Sequence, residues 1–366
     1  MHQLGQVFRS HPGGAFTQVL PPLITSSDCE GAGETFTVIP REGVEASTKG
    51  EHFFRSPKYL TVSSQLHLEA HAAELGSVWA LSPTFRAEKS QTPRHLSEFY
   101  MLEAEMNFTH DLGAVLDSVE HIIRDLTRRL YDTPVAQELL TAKRSGQSGQ
   151  EETEGTEAGV SLQQRWQDIM DGPKWHRITY TNVVNALQEA VEKNGATFEH
   201  PITWDSGLQL EHERYIVDVI CKGNPAFVTD YPKALKPFYM APSKSSGPRG
   251  DTVACFDLLF PEVSEIVGGS LREHRLPELI QNMREHGLIK QRQSADTAEQ
   301  ETELYPHLLP QEDLGHLRWY ADLRRWGSAP HGGFGLGFDR LLGYLSGVSS
   351  IRDVVAFPRY FSRADC

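Results

Sequence analysis

Apolar and polar residues alternate most cleanly over residues 95–108. Tyr100, Leu102, Ala104, Met106 and Phe108 fall on one face, and Phe99, Met101, Glu103, Glu105 and Asn107 on the other. A period of two predicts a strand packed on a core through its apolar face, with the polar face left free for chemistry. Residues 78–88 read as its partner strand, joined to it by the polar loop KSQTPR. Between residues 111 and 131 the period changes. Leu112, Val115, Leu116, Val119, Ile122, Ile123, Leu126 and Leu130 recur at helical spacing. Strands and helices mix without a strand–helix–strand rhythm, which predicts an α+β fold with a mainly antiparallel sheet flanked by helices.

Three polar, aromatic-poor stretches interrupt this pattern: residues 143–160 (KRSGQSGQEETEGTEAGV), 242–250 and 291–303. Such composition buries no core, so they read as disordered insertions in a single domain spanning residues 1–366. Composition changes the picture little. The apolar fraction of 39% and charged fraction of 23% are those of an ordinary globular chain, and no apolar run has the length of a membrane span. A net charge of −14 argues against a protein that coats nucleic acid, yet it leaves room for one basic face. Cys29, Cys221, Cys255 and Cys366 are scattered without a CxxC pair, which fits a reducing compartment and no sequence-local thiolate metal site. Residues 1–14 contain neither a signal-peptide core nor an Arg-rich amphipathic stretch.

Three strings carry candidate chemistry. In SPTFRAEKSQTPRHLSEF (82–99), period two places Thr84, Arg86 and Glu88 on one face of the incoming strand. Arg86 suits a two-point clamp on a phosphate or carboxylate. Glu88 can accept from a base amino group, Phe99 can stack on a purine, and Arg94 and His95 lie on a turn where a mobile loop can cover further phosphates. An isolated Arg-x-Glu would read as a surface ion pair. In HGGFGLGFDRLLGYL (331–345), a glycine-studded strand runs into an amphipathic helix. Gly333, Gly335 and Gly337 bare the backbone for a ligand, with Arg340 in the first helical turn beside it. The spacing is GxGxG, not the GxGxxG of a dinucleotide site. In FDLLFPEVSEIVGGSLREHR (256–275), Asp257 and Glu265 approach one site from neighbouring strand segments, as Mg²⁺ shared with a triphosphate requires; taken alone they read equally well as exposed acids at strand ends.

The first string resembles motif 2 of the class II aminoacyl-tRNA synthetases (fRxE, a loop, then RHxxEF), and the second resembles motif 3, whose arginine packs on ATP. AFTQVLPPLITSSDCEGAGETF resembles the end of motif 1, with Pro22 at the proline that marks a homodimer interface. Within the aspartate, asparagine and lysine subgroup, the strings EGAGETF, EFYMLEAE, EIVGGSLREHRL, WYADLRRWGSAPHGGFGLGFDR and IRDVVAFPR look most like the asparaginyl enzymes of bacterial type. The resemblance implies the class II catalytic fold and a ligase that adenylates asparagine with ATP and passes it to the 3′ end of tRNA(Asn). It implies ATP contacts from Arg86, Glu88, Arg94, His95, Phe99 and Arg340, and Mg²⁺ on Asp257 and Glu265. It also implies contacts to the amino acid from Glu30, Gln65, Arg86, Glu103 and Arg272, with Arg86 and Arg340 neutralising charge during catalysis.

Glu103 paired with Arg272 offers a way to tell asparagine from aspartate, since an ionised glutamate repels a carboxylate and accepts from an amide. The subgroup carries an N-terminal barrel that reads the anticodon; here motif 1 starts almost at residue 1, so the resemblance implies a catalytic domain without it. An asparagine synthetase-like paralogue that adenylates aspartate for amidation, and a non-catalytic tRNA-binding relative, are the alternatives. Bacterial-type motifs with low-complexity insertions point to the mitochondrial matrix, with the cytoplasm as the alternative.

Overall fold

A computed structural model of the chain describes residues 1–26, 35–40, 52–141, 161–244, 249–292 and 303–364. Twelve strands are seen among them. They are β1 (Thr17–Gln18), β2 (Ile24–Thr25), β3 (Tyr59–Leu60), β4 (Ser77–Phe85), β5 (Glu98–Asn107) and β6 (His176–Thr179), followed by β7 (Ala226–Pro232), β8 (Thr252–Phe260), β9 (Ser264–Leu271), β10 (Lys290–Gln291), β11 (Glu312–Asp313) and β12 (His331–Gly337). Eight form one sheet in the order β1-β4-β5-β12-β9-β8-β7-β6, while β2/β3 and β10/β11 are small ribbons. Only the outermost pairs, β1/β4 and β6/β7, are parallel. The predicted α+β class with a mainly antiparallel sheet is therefore what the chain builds.

The alternation along β5 sorts its side chains as expected. Leu102, Ala104 and Met106 join Phe256, Leu258, Phe334 and Leu336 in a core covered by the helix Leu112–Tyr131, whose Val115, Val119, Ile122, Ile123 and Leu126 are buried. The two ends of the apolar face behave differently. Tyr100 is 46% exposed, and Phe108, which takes a φ of 57° just past the end of the strand, is 74% exposed. The hairpin strands also stop sooner than the sequence suggests, at Phe85 and Glu98, and Arg86 adds one further backbone bond to Ser97.

On the opposite face the apolar packing is interrupted. Val78 and Ala80 lie with Leu68 and Ala72 of the helix Gln65–Leu75. Val228, Val253, Cys255 and Leu259 lie in a second core with residues of the helices Tyr180–Asn194, Leu276–Glu285 and Arg318–Arg325. Between these clusters, β5, β12 and β9 present Glu103, Glu105, Gly333, Gly335, Gly268 and Ser270. The core opens there, in the middle of the sheet.

Of the proposed insertions, residues 143–160 lie outside the described residues, as do 245–248 and 293–302. The flanks of the second and third are built into the fold. Pro242 bridges to Val253, Ser243 donates to Asp230, and Gln291 pairs with Glu312.

Candidate active site

Sheet register assembles the site. Ala80, Glu103, Gly335, Gly268 and Asp257 lie side by side across β4, β5, β12, β9 and β8. Two acids thus flank a floor of small residues. A Cβ on Gly268 would stand 3.4 Å from Glu265 Oε1 and 3.5 Å from Asp257 Oδ1, and one on Gly335 would meet mainly the flexible Met101 thioether at 3.1 Å. Both glycines can take a side chain sterically, so their bareness keeps the cavity floor open.

Above this floor lies a cavity of about 420 Å³ whose walls include Gln65, Arg86, Glu103, Asp257, Glu265 and Arg272. A second, of about 160 Å³, is lined by Glu88, Arg94, His95, Phe99 and Arg340. Arg86, Met101, Glu265, Gly268 and Gly335 line both. Gly335 and Gly337 and every described residue for which the resemblance implies a ligand contact lie on one of these two walls; Gly333, expected to bare its backbone to a ligand, lines neither, because the Glu105 carboxylate packs against it. Glu30 lies outside the described residues, and Pro22 is exposed away from both.

The smaller cavity is cationic and aromatic. The Arg86 guanidinium sits 5.7 Å from the Phe99 ring centre and 4.0 Å from Glu88. Arg340 Nη1 donates to the Glu265 carbonyl at 2.7 Å, and Arg94 donates to the Val263 carbonyl. Burial and the surrounding arginines push His95 below its ordinary value, against the pull of Glu88. The loop expected to be mobile is anchored: Ile351 N–H donates to the Pro93 carbonyl and Arg352 Nη2 to the Thr92 carbonyl.

The larger cavity corrects one expectation. Arg272 does not pair with Glu103. Its Nε and Nη2 turn to Glu105, at 3.2 and 3.0 Å, and its Nη1 donates to Ser270 Oγ at 2.8 Å. Glu103 instead accepts from Ser63 Oγ at 2.5 Å and from Ser64 N–H at 2.9 Å, at the start of the helix Gln65–Leu75. The cause is register. Glu105 shares its row with Gly333 and Ser270, one step closer to Arg272 than the row of Glu103. Burial pushes both glutamates up, while Arg272 pulls each back. Burial also works against the charge of Arg272, but Glu105 and Glu69 outweigh it and hold the guanidinium protonated.

Glu69 is a further buried acid. It accepts from Arg324 Nη2 at 2.5 Å, from the Tyr320 hydroxyl at 2.8 Å and from the Gln65 amide at 3.1 Å. Its burial penalty is overcome chiefly by Arg324, so it stays well below the usual carboxylate range. Because an ionised carboxylate only accepts, Gln65 must turn its NH₂ to Glu69 and keep its amide oxygen for another partner.

Near Asp257 the charges crowd. Lys236 Nζ lies 2.8 Å from Asp257 Oδ2 and 3.9 Å from the Tyr231 ring centre. Burial, then Asp257, pushes Glu265 up, and burial followed by Glu265 and Asp257 pushes Glu213 up to about 7. Adjacent acids that resist joint ionisation are what a hard divalent cation relieves. No cluster of three or more His, Cys, Asp or Glu with ligating geometry is found among the described residues. Asp257 and Glu265 would offer two carboxylates to such a cation, leaving its other positions for ligand and water oxygens.

Ser63, Ser64, Glu69, Glu105, Glu213 and Lys236 were not among the residues singled out from the sequence. Only Glu105 left a signal there, two positions from Glu103 on the same strand face.

The family described as "tRNA synthetases class II (D, K and N)" matches residues 2–360. The mitochondrial asparagine–tRNA ligase of Saccharomyces cerevisiae is 42% identical over 349 residues, which is 94% of this chain and 63% of the yeast protein. The asparagine–tRNA ligase of Legionella pneumophila (strain Corby) is 37% identical over 372 residues, covering 100% of this chain and 69% of that protein. The crystal structure of asparaginyl-tRNA synthetase from Pyrococcus horikoshii complexed with asparaginyl-adenylate superposes with a TM-score of 0.72 at 28% identity, covering 99% of this chain and 68% of that one. The chain thus spans less than two thirds of the yeast relative and about two thirds of the others.

Proposed function

The chain belongs to the class II tRNA synthetases of the D, K and N group, and from that premise we propose that it is an asparagine–tRNA ligase. It activates asparagine with ATP and passes the product to the 3′ end of tRNA(Asn). The observation that carries this reading is the meeting of two cavities at Arg86. One is polar and closed by Glu103 and Arg272; the other is cationic and aromatic, between Phe99 and Arg340.

Asparagine occupies the larger cavity. Its ammonium meets Gln65, and Glu30 completes that subsite. Its amide lies between Glu103 and Arg272, and its carboxylate turns to Arg86. ATP occupies the smaller cavity, with its base between Phe99 and Arg340, Glu88 accepting from the purine amino group, and Arg94 and His95 along the phosphates. The asparagine carboxylate attacks the α-phosphorus and pyrophosphate departs. A tRNA ribose hydroxyl then attacks the mixed anhydride and releases AMP. No protein nucleophile is required, because Arg86 and Arg340 supply positioning and charge neutralisation. Asp257 and Glu265 would hold Mg²⁺ together with the phosphates, and the cation would offset their charge.

We place the protein in the mitochondrial matrix. The Saccharomyces cerevisiae and Schizosaccharomyces pombe relatives named as mitochondrial support this. Pairing of two copies around the exposed Pro22 completes the proposal.

The test is exchange of labelled pyrophosphate into ATP, driven separately by asparagine and by aspartate. Asparagine alone should support rapid exchange. Exchange driven by aspartate, with asparagine formed when ammonia is added, would replace this reading with the amidating paralogue.

A further inference from the structure

We propose that Glu105 is a specificity-determining residue that acts through Arg272, neutralising the guanidinium so that the pocket prefers a neutral side chain. This rests on the reading of the larger cavity as the asparagine site, and it names how that site excludes aspartate.

The closed end of the cavity holds more acids than bases. β5 contributes Glu103 and Glu105, and Arg272, just beyond β9, is the cation that faces them. Glu69 on the neighbouring helix has its own counter-charge, since Arg324 lies 2.5 Å from its Oε2 and His331 Nε2 lies 3.1 Å from the same oxygen. The Tyr320 hydroxyl also donates to Glu69, and the Tyr239 ring lies 5.6 Å from the Arg272 guanidinium without adding charge. Leu68, Ala104 and Met101 supply apolar wall. Two carboxylates thus share one guanidinium, so Arg272 has no positive charge to spare for an anionic ligand.

The hydrogen bonds lead to the same conclusion. A guanidinium carries five N–H donors. Arg272 spends Nε and one hydrogen of Nη2 on Glu105, and one hydrogen of Nη1 on Ser270. One hydrogen on each terminal nitrogen remains, enough for a single carbonyl oxygen. An amide matches this, offering its oxygen to Arg272 and its NH₂ to Glu103. A carboxylate would place an anion beside Glu103 and compete with Glu105 for a guanidinium already paired, in a site where Arg272 is 3% and Glu105 1% exposed.

The seat of Glu105 is a built feature. A Cβ on Gly333 would stand 2.1 Å from Glu105 Oε2 and 2.3 Å from the Ala104 carbonyl oxygen. The carboxylate lies against bare backbone of β12, and only glycine allows it to reach Arg272 there.

The experiment measures pyrophosphate exchange driven by asparagine and by aspartate in the wild type, Glu105→Gln and Glu105→Asp. Glu105→Gln keeps the shape and removes the charge, so the preference for asparagine should fall on the order of tenfold to a hundredfold. Glu105→Asp retains the charge and should retain the rejection of aspartate. A purely structural role for Glu105 would lower both exchange rates together and leave their ratio within about twofold of wild type, which overturns the proposal. Lack of asparagine-driven exchange in the wild type would instead remove the underlying asparagine reading.

A second measurement needs no variant. Calorimetry of the wild type with sulfamoyl analogues of the asparaginyl and aspartyl adenylates, in buffers of differing ionisation enthalpy, counts protons. The aspartyl analogue should bind with uptake of about one more proton than the asparaginyl analogue. Equal proton uptake by the two would overturn the proposal.

Discussion

Lys236 binds Asp257 across 2.8 Å while its ammonium lies 3.9 Å from the centre of the Tyr231 ring. Burial alone would lower Lys236, but Asp257 reverses this and holds it protonated well above its ordinary value. One oxygen of Asp257 is thereby committed, and the other lies near Glu265 above Gly268. Asp257→Asn and Glu265→Gln should each raise the Mg²⁺ concentration needed for half-maximal exchange on the order of tenfold. Mg²⁺ titrations identical to wild type in both variants would make these acids structural.

Arg86 stands where the two cavities join, so it can face the substrate carboxylate and the α-phosphate together. Arg86→Lys keeps the charge and loses the planar fork. Exchange should fall on the order of 10²-fold, with thermal stability nearly unchanged. Wild-type rates in this variant would take Arg86 out of the mechanism.

Glu103 serves both the Ser63–Ser64 turn and the proposed substrate amide. A carboxylate has about four acceptor positions, so its bonds to the serines leave capacity for one more donor. Glu103→Gln should raise the KM for asparagine and relax the rejection of aspartate. If the variant loses activity toward both amino acids in proportion, Glu103 only anchors the turn.

Glu213 is the group whose titration should be visible in folding. It is raised from 4.5 to about 7, mainly by burial and then by Glu265 and Asp257. In the folded state it therefore keeps a proton that the unfolded chain releases near 4.5. Its contribution to stability is unpenalised below that value, declines as pH rises from about 4.5 to 7, and is least favourable above 7. In Mg²⁺-free buffer, Glu213→Gln should stabilise the protein at pH 8, by at most about 3 kcal/mol, and change little at pH 4. Denaturant melts at the two pH values measure this. A gain confined to pH 4 would reverse the assignment.

The glycines of β12 separate fold from function. Gly333→Ala forces a Cβ against the Ala104 carbonyl oxygen, so it should cost roughly 1–3 kcal/mol or more in stability. Gly335→Ala meets mainly the yielding Met101 side chain. It should melt close to wild type yet lose on the order of tenfold or more in exchange, because the new methyl group fills the floor. Equal melting temperatures for the two variants would contradict the packing described.

The sequence pattern made some of this site legible and concealed the rest for identifiable reasons. Alternation along residues 95–108 placed Glu103 and Glu105 on one face, and the glycines of 331–337 marked bare backbone. Which glutamate meets Arg272 depends on how β5, β12 and β9 align, a property of three strands that no single strand displays. Lys236 and Glu213 reach the acids from a turn and from the short helix Leu210–Tyr215, neither of which has a periodicity that points inward. The anchored loop at Pro93 and Thr92 depends on Ile351 and Arg352, more than 250 residues away along the chain.

Ala80, Glu103, Gly335, Gly268 and Asp257 come from five strands and sit abreast. A site laid across the ladder has no hinge of its own at this row, since no member can shift along its strand without breaking register with both neighbours. Local opening of one loop leaves the row intact, whereas loss of the ladder removes all of it together. Ligands seated on it should therefore tie the two halves of the sheet into one melting unit. New substrate preferences are then reached by exchanging side chains on a fixed lattice, not by moving the strands that carry them.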